Sequence, residues 1–584
     1  MTVVKSFVRC GRGHRPGAAP GRGFALASHT LGALPIVNHF ARRLGLDDLL
    51  HRYVPHDDRR CRVAPATGIG LLVRNVLVGR TPVYGLQEWA TPLDPAQLGL
   101  AEEQVRLLND DRVGRALDDL FDADRASLLT TVVVRAVREF AVDLEQLHND
   151  STTVTFSGQY LAAQGGRQRG RPTLRITHGH NKDHRPDLKQ LLWILTVSAD
   201  GAVPVHFRAC HGNTTDDRTH IQTWDTVRQL VGRADFLYVA DCKLCTRPAL
   251  THIAGQGGRF ITVLPRTRRE DGWFREWVQT HTPAWVEAVR RRHPRRLDGP
   301  PDIYRVAEAP LPSAEGYRLI WVWSALKAEQ DQVARQARIE KAVLALEVLE
   351  TRLRSKRSRF HDRAAAAKAA EAAVRGADAE RWVDYTLTEI AEDRFRQEKQ
   401  GRPGPKTRYV RRQRRRFHLD WQPRGEAIDY DAHTDGMFPL LTNCTNLTPA
   451  QVLQKYKYQP QLEKRHEQLK SVRAVAPMML KSVTRIEALL FVYFLALLLD
   501  ALIERELRRA MKAAGIRSLP LYPEDRECSA PTTDRLLELF RDVSRHELHR
   551  GTRQLQVFEP QLSDQQRQIL RLLGVPASTY AGAR

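Results

Sequence analysis

The hydrophobic period of this chain changes near Leu144, and that change limits the folds open to it. Upstream, Ile36, Phe40 and Leu44 recur at four-residue spacing, and Leu117, Leu120 and Phe121 follow the i, i+3, i+4 pattern of a helix buried on one face. Short Pro, Gly and Asp breaks separate these segments. Downstream, residues 147–156, 191–197, 203–207, 236–240 and 260–263 are short apolar or alternating runs that read as strands. Helical stretches at 219–231 and 248–254 lie between some of them. Strands followed by strand–helix alternation imply a mixed α/β sheet with helices on its faces. The chain has 584 residues, so at roughly 100–200 per domain it calls for about four structural units.

The pattern divides the rest of the chain. Residues 1–30, rich in Arg, Gly and Pro, read as a flexible basic arm, and 31–142 as a helical domain of the kind that often grips DNA. Residues 143–269 form the first part of the α/β core. A long insertion follows at 270–433. It holds a small β element (303–306 and 318–322) and an amphipathic helix over 326–353 that carries Val333, Ile339, Val343, Leu346 and Leu353. An Ala-rich helical spacer at 364–373 completes its first half. The core resumes over 434–513, with a strand at 437–441 and helices at 448–470 and 483–513. Residues 514–584 read as a helical C-terminal region.

Lys and Arg number 91 against 68 Asp and Glu, a formal charge of +23. Basic residues recur from Arg9 to Arg584, which suits a polyanionic partner, of which nucleic acid is the commonest. The densest stretch, 402–416, follows the breaker cluster 401–405 and holds eight Lys or Arg and no acid. Arg411, Arg412, Arg414, Arg415 and Arg416 are its candidate phosphate contacts, with Tyr409, Phe417 or Trp421 available to stack on an unpaired base. The plainer alternative is a solvated charged face. Seven cysteines are too few for a disulfide scaffold and fit a reducing compartment. The longest apolar run, 488–499, is shorter than the about 20 residues that cross a bilayer, and the N-terminus lacks the apolar core of a secretory signal. A cytoplasmic protein without membrane association is expected. Cys242 and Cys245 have C-x-x-C spacing but no evident second pair of zinc ligands. His178, His180 and His184 form a loose cluster on a loop, and the 165–170 stretch lacks the Lys-Ser/Thr of a nucleotide-binding loop.

Two aspartates stand out by position. Asp150 lies within the first strand, and Asp241 immediately follows the apolar strand 236–240. Adjacent strands could bring both carboxylates together, and hard cations such as Mg²⁺ take oxygen ligands of this kind. An acid that merely ends a strand at a turn is the alternative. A third acid adds to the pattern. Tyr456, Gln459, Glu463 and Lys470 would fall within about 60° of one another on an unbroken helix. Pro460 belongs in a helix's first turn, so Tyr456 and Gln459 can fall in a preceding turn, while Glu463 and Lys470 share a face.

The spacing Tyr456-(2)-Gln459-(3)-Glu463-(6)-Lys470 resembles the Y-(2)-R-(3)-E-(6)-K signature of bacterial cut-and-paste insertion-sequence transposases of the DDE superfamily. The stretch 180–190, Gly212-Asn213-Thr214, Asp435-Gly436 and 441–443 are similar to further blocks of one branch of that family. The resemblance covers about residues 31–513. It implies an RNase H-like α/β core, interrupted by the insertion and flanked by helical N- and C-terminal regions. Asp150, Asp241 and Glu463 would be the catalytic triad and the ligands of two Mg²⁺ or Mn²⁺ ions. Tyr456, Gln459, Lys464, Arg465 and Lys470 would grip the transferred strand. The implied partners are double-stranded DNA (terminal inverted repeats and target) and a second copy of the chain when two ends are paired, on the nucleoid. The sequence departs from the family at Gln459, where the signature has Arg, and at Cys242, where many relatives carry a basic residue. A decayed or domesticated, DNA-binding descendant is the alternative that these departures keep open.

Overall fold

The helix Val483–Ala513 carries apolar residues around its whole circumference, and such a helix is satisfied only by burial on every side. In the computed structural model, which describes residues 24–54, 61–291, 299–355, 358–476, 478 and 480–581, the most apolar stretch of this helix is wholly buried, while Arg509, Lys512 and Ala513 at its C-terminal end are exposed. Among the described residues it is also the one helix long and apolar enough to cross a membrane, by length and composition only. Helices Leu34–Leu44, Pro65–Arg74, Asp110–Asp122 and Asp564–Leu573 pack around it. The chain divides into two compact units, Met1–Phe236 with Gln459–Arg584, and Leu237–Tyr458, and this helix is the axis of the first.

Three antiparallel strands lie beside these helices in that unit: β1 (Gln146–Phe156), β2 (Lys189–Ser198) and β3 (Pro204–Cys210). β2 lies in the middle, with Asp150 of β1 opposite Leu195. The central helix packs on β3. The ends of the unit differ from expectation. Phe24–Thr30, read as part of a basic arm, is a strand paired antiparallel with Ser544–Arg550, which turns back onto Arg553–Phe558. These segments alternate weakly between apolar and polar, so their strand character comes from pairing partners more than 500 residues apart in sequence. The C-terminal region is therefore a hairpin with helices Thr533–Glu538 and Asp564–Leu573, and not helical throughout. The rest of the expected arm, residues 1–23, lies outside the described residues.

The second unit is built on a mixed sheet. β4 (Leu237–Ala240) runs parallel to β5 (Arg259–Val263), while β6 (Val286–Arg291), β7 (Asp302–Glu308), β8 (Arg318–Ser324) and β11 (Met437–Thr442) extend it antiparallel in the order β4-β5-β11-β8-β7-β6. The molecule is thus of mixed α/β class. Between β8 and β11 come the helix Ala325–Arg354, the helix Arg363–Arg375 and a two-stranded ribbon, β9 (Val383–Gln397) with β10 (Tyr409–Pro423). The Ala-rich helix is more than a spacer. Ala366, Ala370 and Val374 pack with Ile339, Leu346 and Leu353 of the longer helix and with Val383, Leu387, Phe417 and Leu419 at the ribbon's base.

Within the first unit, Arg473 and Asp500 are both wholly buried and form a two-pronged ion pair, with Nε donating to Oδ2 at 2.8 Å. Arg473 also donates to the Leu77 carbonyl at 2.7 Å, and Thr533 Oγ1 donates to the Asp500 carbonyl at 2.8 Å. Removing one partner leaves an uncompensated buried charge, at a cost of about 3–5 kcal/mol. Asp500→Leu is expected to lower the denaturant midpoint by that equivalent, and the double variant Arg473→Met with Asp500→Leu to recover most of it; urea unfolding followed by circular dichroism checks both.

Candidate catalytic site

Asp150 stands in the middle of β1, where the strand's hydrogen bonds fix its backbone and the unit's interior desolvates its carboxyl. About a fifth of the side chain (20%) keeps contact with solvent. Burial raises its proton affinity above the usual carboxylate range. The Lys182 ammonium and the Ser151 N–H, which donates to Oδ1 at 2.7 Å, pull it back down, and the Asp216 charge pushes it up again. Lys182 Nζ is 3.6 Å from Asp150 Oδ1 and 2.9 Å from Asp216 Oδ2. It also donates to the carbonyl and to the hydroxyl of Ser151, both at 2.7 Å.

Two loops bring Lys182 and Asp216 together because the backbones cross without side chains. A Cβ on Gly212 would lie 2.0 Å from the Gln190 carbonyl oxygen, and one on Gly179 would lie 2.1 Å from the Gly212 carbonyl oxygen. Gln190 Nε2 ties the crossing by donating to the carbonyls of Gly212 (2.8 Å) and His180 (3.2 Å). Asn181 Oδ1 then accepts from the N–H groups of Asp183 and Arg185, setting the turn that carries Lys182.

The helix Gln459–Glu467 packs on β1 and β2. Pro460 sits in its first turn, as its missing N–H and fixed φ favour, and Tyr456 closes a separate helix, Pro449–Tyr456, in the second unit. Gln459 is buried. His148 Nδ1 and Gln459 Oε1 share a hydrogen bond of 2.8 Å, and Gln459 Nε2 donates to the Asn149 carbonyl at 3.4 Å. His466, two turns on, places Nε2 3.8 Å from Asp150 Oδ2. Burial, followed by the charges of Lys182 and Lys470, pushes its imidazole down to about 3, so the ring is neutral at ordinary pH. At about 100° per residue, Glu463 shares the face of Gln459 and His466, yet its side chain is exposed.

Other expected residues fall elsewhere. Arg465 was expected on DNA, but its guanidinium is buried, pairing with Glu504 Oε2 at 2.8 Å and donating to the carbonyls of Gly201 and Ala202, both at 3.0 Å. A phosphate contact does not fit that placement, nor that of Gln459. Lys464 is exposed. Lys470 lies in a wide π-helical turn, Gln468–Val472, and pairs with Asp183 Oδ1 at 2.5 Å. Tyr456 packs against the second unit's core, with Phe438 6.4 Å away between ring centres. Asp241, also in that unit, ends β4 and caps the turn Cys242–Leu244, with Oδ1 accepting from the Lys243 N–H at 3.0 Å. Cys242 and Cys245 are not joined in a disulfide, and burial pushes the Cys245 thiol up to about 12.

The basic run forms most of β10. Arg411, Arg412 and Arg415 are exposed, and Arg414 and Arg416 are half-buried. Arg411, Arg415 and Arg416 pair with Asp393, Glu389 and Glu392 of the facing strand. Tyr409 is 52% exposed, whereas Phe417 is buried and not open to stack on a base, and Trp421 is half-buried against the ribbon's base.

Sequence reasoning missed Lys182, Asp216 and His466. The blocks that hold or adjoin the first two, 180–190 and 212–214, were visible, but their meeting depends on the glycine crossing. Among the described residues no three His, Cys, Asp or Glu side chains are gathered so as to hold a metal. Asp150 still offers carboxylate oxygens, the ligand type a hard cation takes, in a place where burial disfavours an uncompensated negative charge.

Residues 26–134 match a family model described as a domain of unknown function, DUF4277. No curated protein matches the chain. Among solved structures, the cryo-EM structure of the piggyBac transposase synaptic complex with hairpin DNA is similar at a TM-score of 0.36 and 9% identity, over 87% of this chain and 79% of that one. At that distance the likeness says nothing about what this chain does.

The burial of Gln459 reverses what the signature alone implies for this position. An arginine there would bring a charge into a slot between His148 and Asn149 and displace the amide's hydrogen bonds. Gln459→Arg is expected to destabilise the protein by at least about 2 kcal/mol, with no gain in DNA affinity, whereas Lys464→Ala leaves stability unchanged. Thermal unfolding of both variants checks this.

Proposed function

We propose that the protein cuts and joins DNA strands as a transposase of the DDE kind, with Asp150, Asp241 and Glu463 as its catalytic carboxylates. One observation carries the reading. The helix bearing Glu463 is docked on the strand bearing Asp150, held by the Gln459–His148 bond and with His466 beside the Asp150 carboxylate. That docking joins the resemblance around Glu463 to the independently chosen acid of β1.

Asp150 contributes a desolvated carboxylate with a fixed backbone, and Glu463 contributes an exposed one on the same helix face as His466. Together with Asp241 they would hold two Mg²⁺ or Mn²⁺ ions, whose chemistry is to promote attack of an oxygen on a phosphodiester and to stabilise the leaving oxygen. The attacking groups in this reading are water and then the freed 3′-OH, with no covalent protein intermediate. Lys464 and Lys470 lie on the Glu463 helix and the turn after it, where they would hold the strand's phosphates. The exposed arginines of β10 offer a second contact, since a two-stranded ribbon fits a major groove. The substrates would be the terminal inverted repeats of the element and its target DNA. Pairing of two ends would need a second copy of the chain, and the activity would lie on the nucleoid in the cytoplasm.

A duplex carrying the repeats that flank the gene, incubated with the full chain, is expected to be nicked with Mg²⁺ or Mn²⁺ and left intact with chelator. Asp150→Asn is expected to lower cutting by about a hundredfold or more while leaving end binding in place. Substantial cutting by that variant would overturn the carboxylate assignment. Tight end binding without cutting by the unaltered protein would favour the decayed, DNA-binding alternative.

A further inference from the structure

The ammonium of Lys182 is enclosed by oxygen: the Ser151 carbonyl and hydroxyl at 2.7 Å each, Asp216 Oδ2 at 2.9 Å and Asp150 Oδ1 at 3.6 Å. Carboxylate, carbonyl and hydroxyl oxygens are what a hard divalent cation takes as ligands. The His466 ring is buried beside Asp150, with Nε2 3.8 Å from Oδ2. Asp216 opens the turn Asp216–Arg218, four residues after Gly212 of the glycine crossing.

We infer that the Lys182 ammonium is a tethered counter-ion seated in an oxygen pocket formed by Asp150, Ser151 and Asp216, and that a divalent cation enters this pocket by displacing it. The inference rests on the reading of Asp150 as a metal ligand and adds Asp216 and Lys182 to that site. The physical argument is one of charge. Two carboxylates near one cation repel each other unless a positive charge lies between them, and a lysine supplies one on a flexible four-carbon stem that can swing away. An arriving DNA phosphate would offer the ammonium another anion as it leaves. Metal loading would then be weak in the protein alone and strengthened by the substrate, which keeps the hydrolytic centre unloaded until DNA is present.

The test is Mn²⁺ binding to the full chain without DNA, read from the electron paramagnetic resonance signal of the free ion. Lys182→Met is expected to bind Mn²⁺ at least about tenfold more tightly than the unaltered protein, Lys182→Arg to bind as the unaltered protein does, and Lys182→Met with Asp216→Asn to lose the gain. Lys182→Gln is read in the same way should the Met variant fail to fold. No gain in either neutral variant, with Asp150→Asn still lowering Mn²⁺ binding, would overturn the inference and leave Asp150 as a ligand. Binding in the Lys182→Met background that is indifferent to Asp150→Asn would instead overturn the assignment of Asp150 itself.

Discussion

A guanidinium and a carboxylate with no contact with solvent, Arg473 and Asp500, meet on the most apolar helix of the molecule. Burying such charges costs several kcal/mol each, and their attraction offsets this only where the geometry is good and the remaining donors and acceptors are satisfied. Here they are: Arg473 reaches the Leu77 carbonyl, and the backbone around Asp500 accepts from Thr533. Further down the same helix, Glu504 pairs with Arg465, and Arg505 pairs with Asp200. The central helix is therefore gripped by specific charge pairs as well as by packing, which sets its rotation and its height within the unit.

That grip reaches the candidate site. Arg465 belongs to the helix that carries Glu463 and His466, so the Arg465–Glu504 pair ties that helix to the central one from behind, while Gln459 ties it to β1 in front. The position of His466 beside Asp150 follows from these two attachments. A residue of the supposed DNA-binding signature is thus structural in one place, and an unmarked histidine stands beside the candidate carboxylate of Asp150 in another. Lys182 and Asp216 reach Asp150 on loops that depend on Gly179 and Gly212 for their crossing.

The strands of both units were legible wherever apolar residues ran together or alternated, and the central helix was legible to its ends, because burial dominates those segments. The break at Pro460 was legible too, since its stereochemistry is local. What the sequence did not reveal depends on partners far away in the chain. The strand at Ser544–Arg550 has little apolar pattern of its own and is specified by Phe24–Thr30. The basic run of β10 looked like an isolated charge cluster, but β9 lies beside it with Asp393, Glu389 and Glu392 each placed diagonally across the ribbon from the arginine it pairs with. Arg465 and Gln459 looked like surface residues because long polar side chains usually are, and their burial needs Glu504 and His148 to be known.

The central proposal is that Asp150, Asp241 and Glu463 would share metal ions. Iron-directed cleavage of the protein backbone tests it most directly: Fe²⁺ loaded in place of Mg²⁺, with peroxide and ascorbate, cuts the chain only within a few ångströms of the bound ion. The account predicts cuts near Asp150, near Asp241 and near Glu463 in the same preparation, all suppressed by excess Mg²⁺. Cuts near Asp150 without any at the other two acids, or cuts confined to another part of the chain, would contradict it.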